Sequence, residues 1–474
     1  MLKRSTRLSY GIGGGVYSVK EAAYAIFILL FYTQVLGLSG SITGVIIAIS
    51  LLWDGISDPL VGSWSDRLHS RYGRRHPFMV YSTVPMAIGF VGLFSPPELV
   101  RESTALLAAW LLFWSLWVRT FITCFAVPHL ALSAELSTDY QERSQLLGLR
   151  LGVMFLVTLL LPSIGLLLVF REVDGIDGRF VVANYPLYGL MSAGLVALLS
   201  FICIMGTRRH VSQPDDSGED YAPPSLREYI GDVANTFRNK VFRTILSYEI
   251  AAAIAWGCSG TLNVLIVTYV FELSPDEMAL VLAVPSLIAI PLVWLLMKTL
   301  SDRWQKPQLL RFALFGLLLN SLWLLPAKLA GLLPPNDDPL VLVLLLLNNT
   351  LFMICFFLRI TNSMSIVADI TDQHELEEGE RKEGGFFSVM TFTLTISTLV
   401  GPLYGGVVLD VIGLNKQDLP GEVAEPVLAG LMIAMLIVVI PALMVSLWFA
   451  RKINISRDEV ETIQAALRER QATG

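Results

Sequence analysis

Ile42-Thr43-Gly44-Val45-Ile46-Ile47-Ala48-Ile49-Ser50-Leu51-Leu52 runs directly into Trp53-Asp54-Gly55-Ile56-Ser57-Asp58-Pro59. The first part carries almost no polar group, so a helix through it suits lipid hydrocarbon, and the two aspartates then lie within or just under that layer. An ionised carboxylate there costs from roughly 3 to more than 10 kcal/mol, and no folding argument calls for it. Residues four apart share a helix face with Cβ atoms roughly 6 Å apart. Asp54 and Asp58 are therefore placed to share a proton or to chelate a small cation.

Stretches of the same apolar kind recur along the chain. A helix of about 20 residues crosses roughly 30 Å of hydrocarbon, and the sequence holds twelve such segments, at about 9–36, 40–62, 78–95, 105–128, 146–169, 187–206, 243–271, 278–298, 310–330, 340–367, 385–410 and 426–450. With 54% hydrophobic and 16% charged residues and a mean hydropathy of +0.62, the chain is too poor in charge for a soluble domain. The expected class is an all-α integral membrane protein with twelve transmembrane helices.

Basic residues set the orientation. The termini and the even-numbered connections hold most of them, including Arg67, Arg74, Arg75, Arg208, Arg209, Arg303 and Arg451, whereas the odd connections hold Arg101, Arg171, Arg179 and Lys416. The positive-inside rule then puts both termini in the cytoplasm. The net charge of −6 does not bear on this, because the rule counts basic residues near the spans. The first apolar stretch is too long for a cleavable signal peptide and contains Lys20 and Glu21.

The sequence argues against several chemistries. Cys124, Cys203, Cys258 and Cys355 all fall in expected spans without metal-type spacing and read as packing residues. The five histidines, His69, His76, His129, His210 and His374, form no ligand set. There is no phosphate-binding loop or hydrolase elbow and no nucleophile–base–orienter set. An enzyme is not expected, nor a cofactor or a metal beyond a coupling Na⁺, nor a nucleic-acid partner. Any energy source is an ion gradient rather than ATP.

The twelve spans divide at the longest polar stretch, 207–242. Its first part, with Gln213-Pro214-Asp215-Asp216-Ser217-Gly218, reads as a cytoplasmic linker. Its second part, Leu226 to Phe242, suits a short amphipathic surface helix. The expected domains are an N-terminal six-helix half (1–206), the linker, a C-terminal six-helix half (243–450) and a cytoplasmic tail (451–474). Ser65-Asp66-Arg67 after the second span is echoed by Ser301-Asp302-Arg303 after the eighth. Ala134-Glu135-Leu136-Ser137-Thr138-Asp139 after the fourth is echoed by Ala368-Asp369-Ile370-Thr371-Asp372 after the tenth. Two echoes at equivalent points indicate duplication, and paired six-helix halves with a site between them are the major facilitator plan.

Leu8-Ser9-Tyr10-Gly11, Tyr32-Thr33 with Gly37-Leu38-Ser39, Trp53-Asp54 with Asp58-Pro59, and Gly62 to Pro77 (GSWSDRLHSRYGRRHP) form one specific combination. Ala368-Asp369 with Asp372, Glu375, Gly379, Arg381, Glu383 and Gly384 extends it into the second half. The combination resembles the glycoside–pentoside–hexuronide (GPH):cation symporters of the major facilitator superfamily, melibiose permease-like in pattern, over nearly the whole chain. The resemblance implies that Asp54 and Asp58, with Ser57 and Thr123, bind the coupling Na⁺, Li⁺ or H⁺. Oxygen ligands suit such hard cations. Where that pattern has a further carboxylate on the fourth span this chain has Ala126, which moves the expectation toward H⁺.

Other intramembrane charges are candidates for coupling or substrate binding. Lys20, Glu21 and Arg119 lie at a depth similar to Asp54, with Glu21 expected to pair with Arg119 and Lys20 with Asp54 or Asp58. Arg359 stands alone in the tenth span, and its structural partner would be Asp369 or Glu249. Two guanidinium groups suit an anionic solute such as a uronide, and a neutral glycoside fits the resemblance equally. The sugar-binding positions of that pattern correspond to Ser18, Leu130 and Ile360, and only its fifth-span arginine is matched, by Arg150, so galactoside specificity does not carry over. Its eleventh-span lysine, which supplies a positive charge, corresponds to Thr395, and Lys20 or Arg119 is expected to supply that charge from another helix. Tyr17, Tyr24, Trp114, Trp117 and Trp256 are aromatic candidates for sugar stacking or for packing. The resemblance further implies a cytoplasmic gate of Asp66, Arg67, Arg71, Arg74 and Arg75 with Glu135 or Asp139, and of Asp302, Arg303, Asp369 and Asp372 in the second half.

The expected function is cation-coupled symport of a sugar or glycoside-like solute by alternating access, by a monomer spanning the cell membrane, in the manner of a bacterial inner membrane protein. A lysolipid or other amphiphile is the alternative cargo on the same fold, and a non-transporting membrane sensor is a remote third.

Overall fold

In hydrocarbon a backbone N–H has no water to bond, so an apolar span must satisfy its peptide groups internally as a helix. The computed structural model describes residues 2–68, 70, 72–137, 139–210, 240–378, 383–414 and 418–473. Among them are twelve helices long and apolar enough to cross a membrane, matching the twelve expected spans. The first half supplies α1 (Arg4–Val35), α2 (Gly40–Arg67), α3 (His76–Phe94), α4 (Thr104–Leu136), α5 (Tyr140–Leu168) and α6 (Tyr185–Thr207). The second supplies α7 (Lys240–Val270), α8 (Pro275–Arg303), α9 (Lys306–Leu329), α10 (Pro339–Glu378), α11 (Glu383–Thr398) joined at Leu399 to α12 (Val400–Ile412), and α13 (Glu425–Ala450).

The helix edges differ from hydropathy in an instructive way. α4 and α10 run on to Leu136 and Glu378, beyond the expected ends near 128 and 367. The extra turns carry Glu135 and Asp369, which end the apolar run without ending the helix. Residues 451–474, expected as a tail, contain a further helix, α14 (Arg457–Thr473). Ile455 belongs to, and Val460 packs against, the buried cluster that includes Ile370 of α10, and Gln464 Nε2 donates to Asp372 at 3.4 Å. Phe242, assigned from sequence to a surface helix, is fully buried near the start of α7. The rest of the expected linker, 211–239, lies outside the described residues, as do His69, Arg71, Arg381 and Lys416.

Two compact units emerge. The first comprises the described residues of Met1–Pro223 with Val267–Ala279 and Pro402–Val423, and the second those of Pro224–Ile266, Leu280–Gly401 and Ala424–Gly474. In the first unit α1 packs on α5 and α6, α3 on α4 and α6, and α2 on α4. In the second α13 packs on α7 and α10 on α9. Val267–Ala279 and Pro402–Val423, from the second half of the sequence, are grouped with the first unit.

The ends of α1 and α7 show the duplication at backbone level. α1 closes in a π-helical turn, Phe31–Val35, and α7 in another, Ile266–Val270. From within each turn onward the residues align as Thr33-Gln34-Val35-Leu36-Gly37-Leu38-Ser39 and Thr268-Tyr269-Val270-Phe271-Glu272-Leu273-Ser274. Gly37 has φ +81° and Glu272 φ +52°, so both turns use the left-handed region, which costs an L-residue about 1–2 kcal/mol. Less the entropy that glycine adds to the unfolded chain, Glu272→Gly is expected to raise stability by about 0.5 kcal/mol. Thermal unfolding in detergent measures this, and a lowered midpoint would refute it.

Candidate functional site

α2 carries its polar face at the level where α1 and α4 present theirs. Lys20 Nζ donates to Asp54 Oδ2 at 3.1 Å and pairs with Glu21 Oε1 at 3.2 Å. Arg119, from α4, donates through a terminal nitrogen to the same Asp54 oxygen and through Nε to Ser50 Oγ at 2.9 Å. Both cations are 2% exposed. Rings fix them in place: Lys20 Nζ lies 4.2 Å from the Tyr17 centroid and the Arg119 guanidinium 4.6 Å from that of Tyr24. Such contacts strengthen when desolvated. Tyr17 and Tyr24 thus hold cations. Lys20 pairs with Asp54, one of its two expected partners, whereas Glu21 goes to its chain neighbour Lys20 instead of Arg119, and Arg119 is aimed by Ser50 and Tyr24 onto Asp54.

Asp58 sits one turn further along. Its Oδ1 accepts from Thr123 Oγ1 at 2.8 Å, and Thr123 Oγ1 is 3.3 Å from Ser57 Oγ. Ser57 and Thr123 are buried, whereas Asp58 is exposed. A carboxylate on a spanning helix faces water or the protein interior, not lipid, so Asp58 is the aspartate of this pair open to its surroundings. Pro59 lies inside α2 and has no N–H to give the Gly55 carbonyl, which lies between the two aspartates. Asp54 Oδ1 is buried and has no hydrogen-bond partner.

The electrostatics decide what this cluster can do. Lys20 and Arg119 stand against Asp54, Asp58 and Glu21, which leaves one negative charge uncompensated. The oxygens of Asp58, Ser57 and Thr123, with the unpartnered Asp54 oxygen on the same helix, are the donor types for one monovalent cation: H⁺ on a carboxylate, or Na⁺ among several oxygens. The residues present therefore fit a coupling ion, and the four expected from sequence (Asp54, Ser57, Asp58, Thr123) are adjacent. Ser50 is the member that sequence reasoning missed; a serine in an apolar helix gives no signal until Arg119 is placed beside it.

The remaining candidates separate. Ser18 Oγ and Arg150 Nε are buried without hydrogen-bond partners. Trp114 and Trp117 belong to an aromatic group on α4 with Trp110 and Phe113, and Trp117 Nε1 donates to the Pro85 carbonyl at 2.9 Å, so both pack against α3. In the second unit Arg359 donates to Glu249 Oε2 at 2.7 Å. Glu249 also accepts from Tyr248 and Ser363, and Trp256 stacks on Phe356 at 4.1 Å. Of the two partners expected for Arg359, the structure selects Glu249; Asp369 is taken by Lys306 at 2.6 Å.

Several of the residues expected to form a gate make ion pairs within each unit. Arg75 Nε donates to Glu135 at 3.1 Å, another Arg75 nitrogen reaches Asp66, and Arg74 lies 3.7 Å from Glu135. Asp139 instead caps α5, accepting from the Glu142 N–H at 2.7 Å. The second-unit counterpart of Arg75–Glu135 is Lys306–Asp369, joining the start of α9 to the end of α10. Asp302 and Arg303 are exposed at the end of α8. All four cysteines are free thiols.

Comparison with known proteins agrees with this architecture. Residues 9–457 match the family model described as MFS/sugar transport protein. The chain is 24% identical over 417 residues to the putative glycoside/cation symporter YagG of Escherichia coli, covering 88% of this chain and 85% of that protein. It is 29% identical over 156 residues to the chicken (Gallus gallus) sodium-dependent lysophosphatidylcholine symporter 1, covering 33% of this chain and 29% of that one. A solved bacterial homologue of the human lysosomal transporter Spinster superposes with a TM-score of 0.64 at 14% identity, covering 96% of this chain and 98% of that one. That last likeness concerns the fold alone.

Proposed function

The chain belongs to the MFS/sugar transport protein family, and from that premise we propose that it is a secondary active transporter coupling the inward movement of one monovalent cation to uptake of a sugar or glycoside-like solute by alternating access. The observation that carries this reading is the cluster on α1, α2 and α4 with one uncompensated negative charge and an unpartnered Asp54 oxygen. Empty, the cluster carries one net negative charge; with one cation bound it is neutral. Coupling requires that the cation-bound form bind solute more tightly than the empty form.

The protein spans the membrane many times. The basic connections favour cytoplasmic termini, a bacterial inner membrane location accords with the likeness to the inner membrane symporter YicJ of Escherichia coli, and we take the monomer as the working unit. Arg359 is committed to Glu249, so contact with an anionic solute requires that Glu249 be released; a neutral solute requires no such exchange. The lysophosphatidylcholine symporter likeness supports an amphiphile as the second reading.

The test is uptake into proteoliposomes of neutral glycosides, uronides and lysophosphatidylcholine, with H⁺ and Na⁺ gradients imposed separately. Accumulation of a glycoside or uronide under one gradient is expected; accumulation of the lysolipid alone would favour the second reading. The charge count makes its own prediction. Glu21 touches Lys20 but is 44% exposed, so neutralising it acts through a partly screened field. Glu21→Gln is expected to weaken the coupling cation about fivefold, read from the half-saturating cation concentration for uptake. An unchanged value would remove Glu21 from the cluster.

A further inference from the structure

The N-termini of α2 and α8 occupy equivalent places in the two halves, each following a positive-φ residue, a leucine and a serine, and each serine caps its helix differently. Ser274 has a carboxylate three residues on: its N–H donates to Glu277 Oε2 at 2.9 Å, and the Glu277 N–H donates to Ser274 Oγ at 3.3 Å. This is a capping box, with the acidic group supplied locally. Three residues after Ser39 stands Ile42, so α2 has no local carboxylate. Asp410 of α12 supplies one from 370 residues away. Its Oδ1 accepts from the Gly40 N–H at 2.8 Å, and its Oδ2 from the Ser41 N–H at 2.9 Å and from Ser39 Oγ at 2.8 Å.

The backbones beneath this contact touch. A Cβ placed on Gly406 would strike the Gly40 carbonyl oxygen, and one on Gly44 the Pro402 carbonyl oxygen. The equivalent contact between α5 and α8 is closed by a neutral bond, Ser163 Oγ to the Ala279 carbonyl at 3.3 Å, where Ala279 corresponds to Gly44. One of the two equivalent helix contacts is thus held by a charge on a helix N-terminus. A carboxylate there gains from the free N–H groups and from the helix dipole. Asp410 is exposed and borders a cavity of about 500 Å³ with Gln34, Ser39, Arg101 and Glu102. Water can therefore take over both partners when they part, which suits a contact that is made and broken.

The geometry points to Asp410 as a gating residue of the transport cycle: it latches α12 onto the N-terminus of α2, the helix that carries Asp54 and Asp58, and must let go when this end opens. The inference rests on the alternating-access reading above. A rigid α2 ties its capped end to the cation site on the same helix, so occupancy of the site and release of the latch act on one body.

The test reads accessibility, not transport. Thr43→Cys places a reporter at a fully buried position of α2, and vesicles are treated from each side in turn with a membrane-impermeant maleimide, subtracting the labelling of the four native cysteines. Asp410→Asn, which keeps the shape and removes the charge, is expected to raise reporter labelling at least about fivefold. Gly406→Leu, a wedge against Gly40 that leaves Asp410 in place, is expected to raise it too. Labelling raised by the wedge and unchanged by Asp410→Asn would overturn the latch while leaving alternating access standing. Labelling unchanged by both would overturn the latch and the opening of this end together.

Discussion

Asp58→Asn is expected to abolish solute accumulation while leaving downhill equilibration in place. Moving one charge through 100 mV is worth about 2.3 kcal/mol, or roughly fifty-fold accumulation of a neutral solute at equilibrium. Asn keeps the side-chain volume and can still accept from Thr123 Oγ1, so α2 and α4 should pack as before. What it lacks is the charge. The cluster becomes neutral without a bound ion, the cation no longer distinguishes loaded from empty carrier, and the accumulation ratio falls to about one. Uptake and counterflow in the same proteoliposomes separate the two effects. Accumulation at the wild-type ratio would show that Asp58 is not the coupling carboxylate.

Arg359→Met is expected to have the largest effect on stability. Glu249 and Arg359 are almost completely buried, and removal of one partner leaves an uncompensated charge at a cost of about 3–5 kcal/mol. The single variant should unfold at markedly lower temperature in detergent. Glu249→Gln in the same chain removes the stranded charge, and its amide oxygen can still accept from Tyr248 and Ser363. The double variant should recover most of the loss, with an interaction energy of roughly 3 kcal/mol in a double-mutant cycle. Additive losses would mean that the two charges do not depend on each other.

Much of the fold could be read from hydropathy because a spanning helix is a bulk property of about 20 side chains. All twelve spans were visible in this way. α14 was not, because its apolar positions Val460, Ile463 and Leu467 form a narrow stripe within a charged segment. Of the site, Asp54 and Asp58 were legible because each violates the solvation rule of its surroundings, and Lys20, Arg119 and Arg359 for the same reason. Lys20–Asp54 and Arg359–Glu249 were each among the expected pairs, but the partner of Arg119 was not legible. Which carboxylate receives Arg119 depends on Ser50 and Tyr24, residues unremarkable in sequence, and on the relative rotation of α2 and α4. Asp410 escaped notice because it stands at the end of a span, where a carboxylate costs little and signals nothing. Its role appears only once the N-terminus of α2 is seen to lack the capping carboxylate that α8 has.

The central claim is that one monovalent cation travels with each solute through the Asp54–Asp58 cluster. The most direct measurement is solute-driven cation movement: proteoliposomes without any imposed ion gradient receive an inward solute gradient, and internal pH and Na⁺ are followed together with solute influx. Influx of one cation, H⁺ or Na⁺, per solute is expected in the wild-type protein and none in Asp58→Asn. Solute influx without cation movement in the wild-type protein, or cation movement preserved in Asp58→Asn, would contradict it.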